Sequence, residues 1–127
     1  IYTLSLHDAL PIFGRRLRAV PGVEAAPCEG TYLLWLDCTG LLAATGLEAD
    51  ELDDFILEEA GLWLDDGAIF GAGGRGFTRM NVACPRATLD EALDRLEAGV
   101  TALLARQALR TGAASAAAAP AVVSPAA

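Results

Sequence analysis

Thr31 to Asp37 reads TYLLWLD, a run that is apolar on both of its alternating faces and bounded by Gly30 on one side and Thr39-Gly40 on the other. Side chains on both faces of a strand stay dry only where the strand has neighbours around it, so this run belongs in the middle of a sheet. Its companions lie downstream. Phe77 to Ala83 (FTRMNVA) alternates Phe77, Arg79 and Asn81 on one face with Thr78, Met80 and Val82 on the other, and Leu62 to Leu64 is a shorter strand candidate. Between them Asp50 is placed to cap a helix: Glu51, Asp53 and Asp54 fall in its first turn, Leu52, Phe55 and Ile56 take helical spacing, and Gly61 ends it. Thr88 and Glu91 have the spacing of a capping box ahead of an apolar stripe, Leu89, Leu93, Leu96, Val100, Leu103 and Leu104, that runs to roughly Arg106. Arg106 and Arg110 then suit the negative end of that helix. Strand, helix, strand, strand, helix in this order predicts an α/β two-layer sandwich, a small sheet with helices on one side.

Hydrophobic residues make up 54% of the 127-residue chain, but much of that is alanine, so the core rests on the larger aliphatic and aromatic positions and one domain is expected. The net charge is −8, and all nine basic residues are arginines. A chain without lysine has no Schiff base, no Walker A loop and no lysine general base of its own. Without a basic stripe, nucleic acid is not an expected partner. Cys28, Cys38 and Cys84 form no CxxC pair and His7 is the single histidine, so a zinc site is not expected; reduced thiols fit a cytoplasmic protein. The sequence has no apolar run of membrane-spanning length, and its start lacks the basic region of a signal peptide.

The two ends read differently from the middle. Residues 1–12, IYTLSLHDALPI, show no sustained period, Pro11 is expected to end whatever precedes it, and the string resembles a translated sequencing adapter. They are read as a non-native leader, which sets His7 and Asp8 aside as an acid/base pair. Phe13 to Val20 then reads as a helix end before a Pro21-Gly22 turn. From Thr111-Gly112 onward small residues and prolines predict a disordered tail, 111–127, which leaves 13–110 as the domain.

Gly71 to Gly76 (GAGGRG) satisfies G-x-G-x-x-G, but a strand rather than a helix follows it, so it reads as a turn that can border a ligand. Arg79 stands out. An arginine in the middle of a strand presents a planar fork suited to a carboxylate; equally it is an exposed edge residue, or one bridged to Asp37 or Asp66. Glu58-Glu59 and Asp65-Asp66 read as a solvated face and a loop start, and Trp35 and Trp63 as core anchors.

GTYLLWLD (30–37), DELDDFILEEAGLWLDDGAIFGAGGRGFTRMNVACPR (50–86) and TLDEALDRL (88–96) resemble consecutive segments of the C-terminal small domain of class I/II aminotransferases, the fold type I pyridoxal-phosphate enzymes. Within them the pattern DG-x-x-FG-x-x-G-x-GF-x-R-x-N-x-A-x-P is similar to the MalY/PatB branch of cystathionine β-lyase type carbon-sulfur lyases, in register from about Pro21 to Arg106, with Cys28 where a proline is common. The resemblance implies pyridoxal phosphate held by a lysine in a preceding large domain, amino-acid substrates, and homodimers. In lyases of the branch a sulfur substituent leaves Cβ, giving a thiol, pyruvate and ammonia; transaminating relatives reprotonate on the cofactor instead. It also implies that Arg79 binds the substrate α-carboxylate, that the loop Asp66 to Gly76 shapes the mouth of the site, and that no catalytic, cofactor-binding or metal-binding residue transfers to this chain. A chain with no lysine would then be a C-terminal fragment, inactive alone. The alternative is a stand-alone regulatory α/β module that binds a small carboxylate through Arg79.

Overall fold

In a computed structural model, residues 5–25 and 32–118 are described. Helix α1 (Leu6–Leu17) leads into strands β1 (Glu24–Ala25) and β2 (Leu33–Asp37), helices α2 (Thr39–Thr45) and α3 (Leu52–Glu58), strands β3 (Asp65–Asp66) and β4 (Phe77–Asn81), and helix α4 (Arg86–Ala118). The four strands form one antiparallel sheet in the order β1-β2-β4-β3, so the run predicted to be central is central. Leu34 pairs with Met80 and Leu36 with Thr78, and these four buried residues form the face that joins the core. The helices cover that face with Phe13 and Leu17 of α1, Leu41 of α2, Leu52, Phe55 and Ile56 of α3, and Leu89, Leu93, Leu96 and Val100 of α4. The architecture is the two-layer α/β arrangement expected.

Several boundaries differ. Pro11 does not end a helix; α1 runs through it. Proline forfeits one intrahelical bond, which is offset by Ala9 and Phe13 on either side packing into the core and by Ser5 Oγ accepting from the Asp8 amide at 3.2 Å. Arg16 of α1 reaches Asp90, Asp94 and Glu97 of α4 at 3.5, 2.5 and 3.6 Å, tying the first helix to the last. Glu48 rather than Asp50 caps the middle helical segment: Glu48 and Glu51 make a capping box around a 3-10 turn, Ala49–Glu51, that feeds α3. Gly61 (φ 70°) follows the helix end as expected. The short strand expected at Leu62 to Leu64 is found three residues later at Asp65–Asp66, because Leu62 and Leu64 are drawn onto the core margin instead. Helix α4 begins before Thr88, since the Pro85 carbonyl accepts from the Thr88 and Leu89 amides at 3.0 and 3.1 Å, and Glu91 pairs with Arg95 rather than closing a box. At its other end α4 passes through Thr111-Gly112 to Ala118 where a disordered tail was expected: alanine, the best helix former, continues the helix at little cost. Arg106 and Arg110 therefore lie within α4, paired with Glu59 and Gln107. Residues 1–4 and 119–127, Cys28, Gly30 and Thr31 lie outside the described residues. Among the described residues no helix is long and apolar enough to cross a membrane.

Candidate functional site

Alternation along β4 sends Thr78 and Met80 inward and Phe77, Arg79 and Asn81 to the opposite, half-open face of the sheet. Register sets Arg79 against Trp35 of β2 on one side and Asp65 of β3 on the other. The Arg79 guanidinium donates from Nε at 3.0 Å and from Nη2 at 2.7 Å to one oxygen, Oδ2, of Asp65. The bridging partner is thus neither Asp37 nor Asp66. Asp65 stands directly opposite Arg79 and shares its face, whereas Asp66 stands opposite buried Thr78 and spends its carboxylate accepting from the Ala68 amide at 3.0 Å. Asp37 pairs across from Phe77 and accepts from Thr39, closing the turn into α2. Thr78 contributes from the buried side: its hydroxyl donates to the Asp65 carbonyl at 3.0 Å, which fixes the edge strand that carries the counter-ion.

Aromatic rings complete the setting. Phe70 stands in the loop after β3 with its centroid 4.7 Å from Arg79 Cζ, a cation–π distance. The same ring meets Trp35 edge-on at 5.9 Å, and Trp35 stacks on Phe77 at 5.3 Å with 15° between the planes. Close backbone contact also holds the loop. Two 3-10 turns, Gly67–Phe70 and Ala72–Gly74, clasp each other: a Cβ on Gly74 would lie 2.6 Å from the Gly67 carbonyl carbon, and one on Gly67 would lie 2.6 Å from the Phe77 carbonyl oxygen. The G-x-G-x-x-G match falls across the second turn and ends at Gly76, immediately before β4, so it opens no helix and no dinucleotide site.

The surroundings of Arg79 are acidic. Asp37 and Asp65 share its face, while in α3, on the core side of the sheet, burial and the charges of Asp66 and Asp54 push the Asp53 carboxyl above its ordinary value. Arg75 in the loop is engaged with Asp50 at 3.0 Å. Trp35 and Trp63, expected as core anchors, lie outside the core. Trp35 is half-buried on the open face, and Trp63 is 91% exposed because Leu62 and Leu64 on either side take the inward positions. Glu58 lies on a solvated face as expected, while Glu59 is paired with Arg106. Cys38 is buried where β2 meets α2, its thiol pushed up to about 12 by burial and by the neighbouring Asp37 charge; Cys84 is half-buried, and burial pushes its thiol up too. Asp65 and Phe70 are the site residues that sequence reading missed as individuals. Continuing the alternation of Leu62-Leu64 by one step puts Asp65 on the face of Arg79, a usable signal; for Phe70 the signal is its fixed place in the pattern DG-x-x-FG of the loop that borders the site.

The face can grip an anion, because it offers a fixed guanidinium with an aromatic lid. It cannot attach pyridoxal phosphate covalently, since the sequence contains no lysine and the donors on this face are the guanidinium, an indole and the Asn81 amide. Attachment of that group would fall to residues outside this sequence.

No family model matches the chain. The fold and its relatives define a class: the chain is homologous to the C-terminal part of fold type I pyridoxal-phosphate enzymes. Cystathionine β-lyase PatB of Bacillus subtilis is 35% identical over 82 residues, 65% of this chain and 20% of that enzyme. The crystal structure of a PLP-dependent β-cystathionase from Corynebacterium diphtheriae superposes with a TM-score of 0.66 at 33% identity, covering 76% of this chain and 24% of that one. Cystalysin from Treponema denticola, whose structure contains a pyridoxal 5'-phosphate cofactor, superposes with a TM-score of 0.65 at 32% identity over 75% of this chain and 23% of its own. Aminotransferases match as well. The chain spans about a fifth of the length of the curated relatives it matches.

Proposed function

We propose that this chain supplies the substrate-carboxylate grip of a pyridoxal-phosphate enzyme acting on amino acids, a carbon-sulfur β-lyase or an aminotransferase, and that alone it is inactive. The observation that carries the reading is the setting of Arg79: a guanidinium fixed in mid-strand on the open face, under the Phe70 ring, on a fold whose relatives are cystathionine β-lyases and aminotransferases. Residue by residue, Arg79 binds the α-carboxylate through two parallel hydrogen bonds and so orients the rest of the amino acid. Phe70 and Trp35 keep the guanidinium plane in place and exclude water from one of its faces. The loop Asp66 to Gly76 borders the mouth. The cofactor and its lysine come from a larger domain, with two such chains forming a cytoplasmic homodimer.

Two measurements test this. Pyridoxal phosphate mixed with the purified chain is expected to separate from it completely on gel filtration and to support no turnover of amino acids; measurable turnover overturns the claim that the chain is inactive alone. In a polypeptide that joins this domain to a lysine-bearing cofactor domain, Arg79→Met is expected to raise KM for the amino-acid substrate by roughly 10²-fold with a smaller effect on kcat. That corresponds to a lost charged hydrogen-bond pair of about 3 kcal/mol. An unchanged KM removes Arg79 from the binding role.

A further inference from the structure

The fork that the proposed function gives to a substrate carboxylate already holds a carboxylate. Asp65 Oδ2 takes both Nε and Nη2 of Arg79, one of the two edges on which a free carboxylate makes its two-oxygen grip. Asp65 brings a single oxygen to that edge, and the pair is half-exposed, with 34% of the Arg79 side chain and 48% of the Asp65 side chain accessible. Water-exposed pairs of this kind hold weakly. The side chain can also leave without disturbing the sheet, because β3 is fixed through its backbone, by its pairing with β4 and by the Thr78 hydroxyl on the Asp65 carbonyl. Nor does the guanidinium depend on Asp65 for its position, since the Phe70 ring covers it from the loop.

We propose that Asp65 is an internal place-holder that occupies the Nε/Nη2 edge of Arg79 in the empty site and yields it to an incoming carboxylate, thereby setting the affinity of the site. The inference rests on the reading of Arg79 as the carboxylate grip. Two carboxylates cannot share one edge of a guanidinium, and their like charges repel, so a ligand that takes the Nε/Nη2 edge must first break the internal pair. The result is a grip weakened by the worth of that pair, and a guanidinium that keeps a counter-ion when the site is empty.

Acetate titrated into the full 127-residue chain, followed through the ¹⁵N shift of the Arg79 Nε–H, tests the proposal. Asp65→Asn and Asp65→Ala, each checked by circular dichroism, are compared with the parent chain, and Arg79→Met identifies the signal. Both Asp65 variants are expected to bind acetate about fivefold more tightly, the equivalent of about 1 kcal/mol. In the parent chain, saturating acetate is expected to move the ¹³C shift of the Asp65 carboxyl group. Equal or weaker acetate binding by both variants overturns the place-holder and makes Asp65 a support for the guanidinium, while leaving the carboxylate grip standing. If neither the parent nor either variant shifts the Arg79 signal up to saturating acetate, the grip itself fails and the place-holder falls with it.

Discussion

Cys38 shows how a single side chain makes the stability of this domain depend on pH. Its thiol is 2% exposed, and burial together with the Asp37 charge raises it from an ordinary 9.0 to about 12. The folded state therefore keeps a proton that the unfolded chain releases above pH 9, so the contribution of this group is fully present below pH 9 and is lost as pH rises from 9 toward 12. The slope is at most one proton per molecule, about 1.4 kcal/mol per pH unit. Urea unfolding measured between those limits is expected to show that slope in the parent chain and a flatter profile in Cys38→Ala; parallel profiles would count against it. The same burial predicts the order of thiol reactivity in the native state, with half-buried Cys84 alkylated well before Cys38.

At the scale of elements, β2 was legible as an apolar run between turn residues and β4 because its side chains alternate cleanly, and that alternation alone put Arg79 on the face away from the helices. The partner of Arg79 was not legible. It depends on the register of β3, a two-residue strand whose pairing is chosen by Leu62 and Leu64 reaching the core margin and by the Thr78 hydroxyl. Helix ends were misread where local chemistry has near-equivalent options, as with Glu48 against Asp50, or where alanine lets a helix continue past a glycine. The loop that carries Phe70 depends on a contact between two glycines distant in the pattern, which no local rule encodes. Gly74→Ala is expected to force the clasp apart, lower stability by about 1–3 kcal/mol, and weaken the near-ultraviolet circular dichroism of Trp35 as Phe70 moves. Unchanged dichroism would mean that the clasp does not position the ring.

For the whole molecule, one core is shared by the sheet face and four helices, so losing a contributor at either end is felt throughout. Deleting residues 1–12 would leave five residues of α1, too short to hold helix by itself, and would remove fully buried Ala9. The expected cost is roughly 2–3 kcal/mol, seen as a fall in Tm of about 10 °C. A substitute leader that forms helix and keeps a small residue at position 9 is expected to restore most of it, which makes the shape of that segment, not its particular letters, the requirement. An unchanged Tm on deletion would show that α1 contributes nothing before Phe13.

The sheet also ends in a particular way on each side. Among the described residues each edge strand carries acid: Glu24 in β1, Asp65 and Asp66 in β3, which is two residues long. An edge this charged repels a copy of itself, and the short β3 gives a passing chain little backbone to pair with. The domain can therefore leave Trp35, Phe70 and Phe77 half-uncovered, ready for contact, without those rings seeding fibrils or clumps. That protection is written in carboxylates, so it fades in acid: approaching the pI near 4.4, where the net charge also vanishes, light scattering from a concentrated solution is expected to climb steeply.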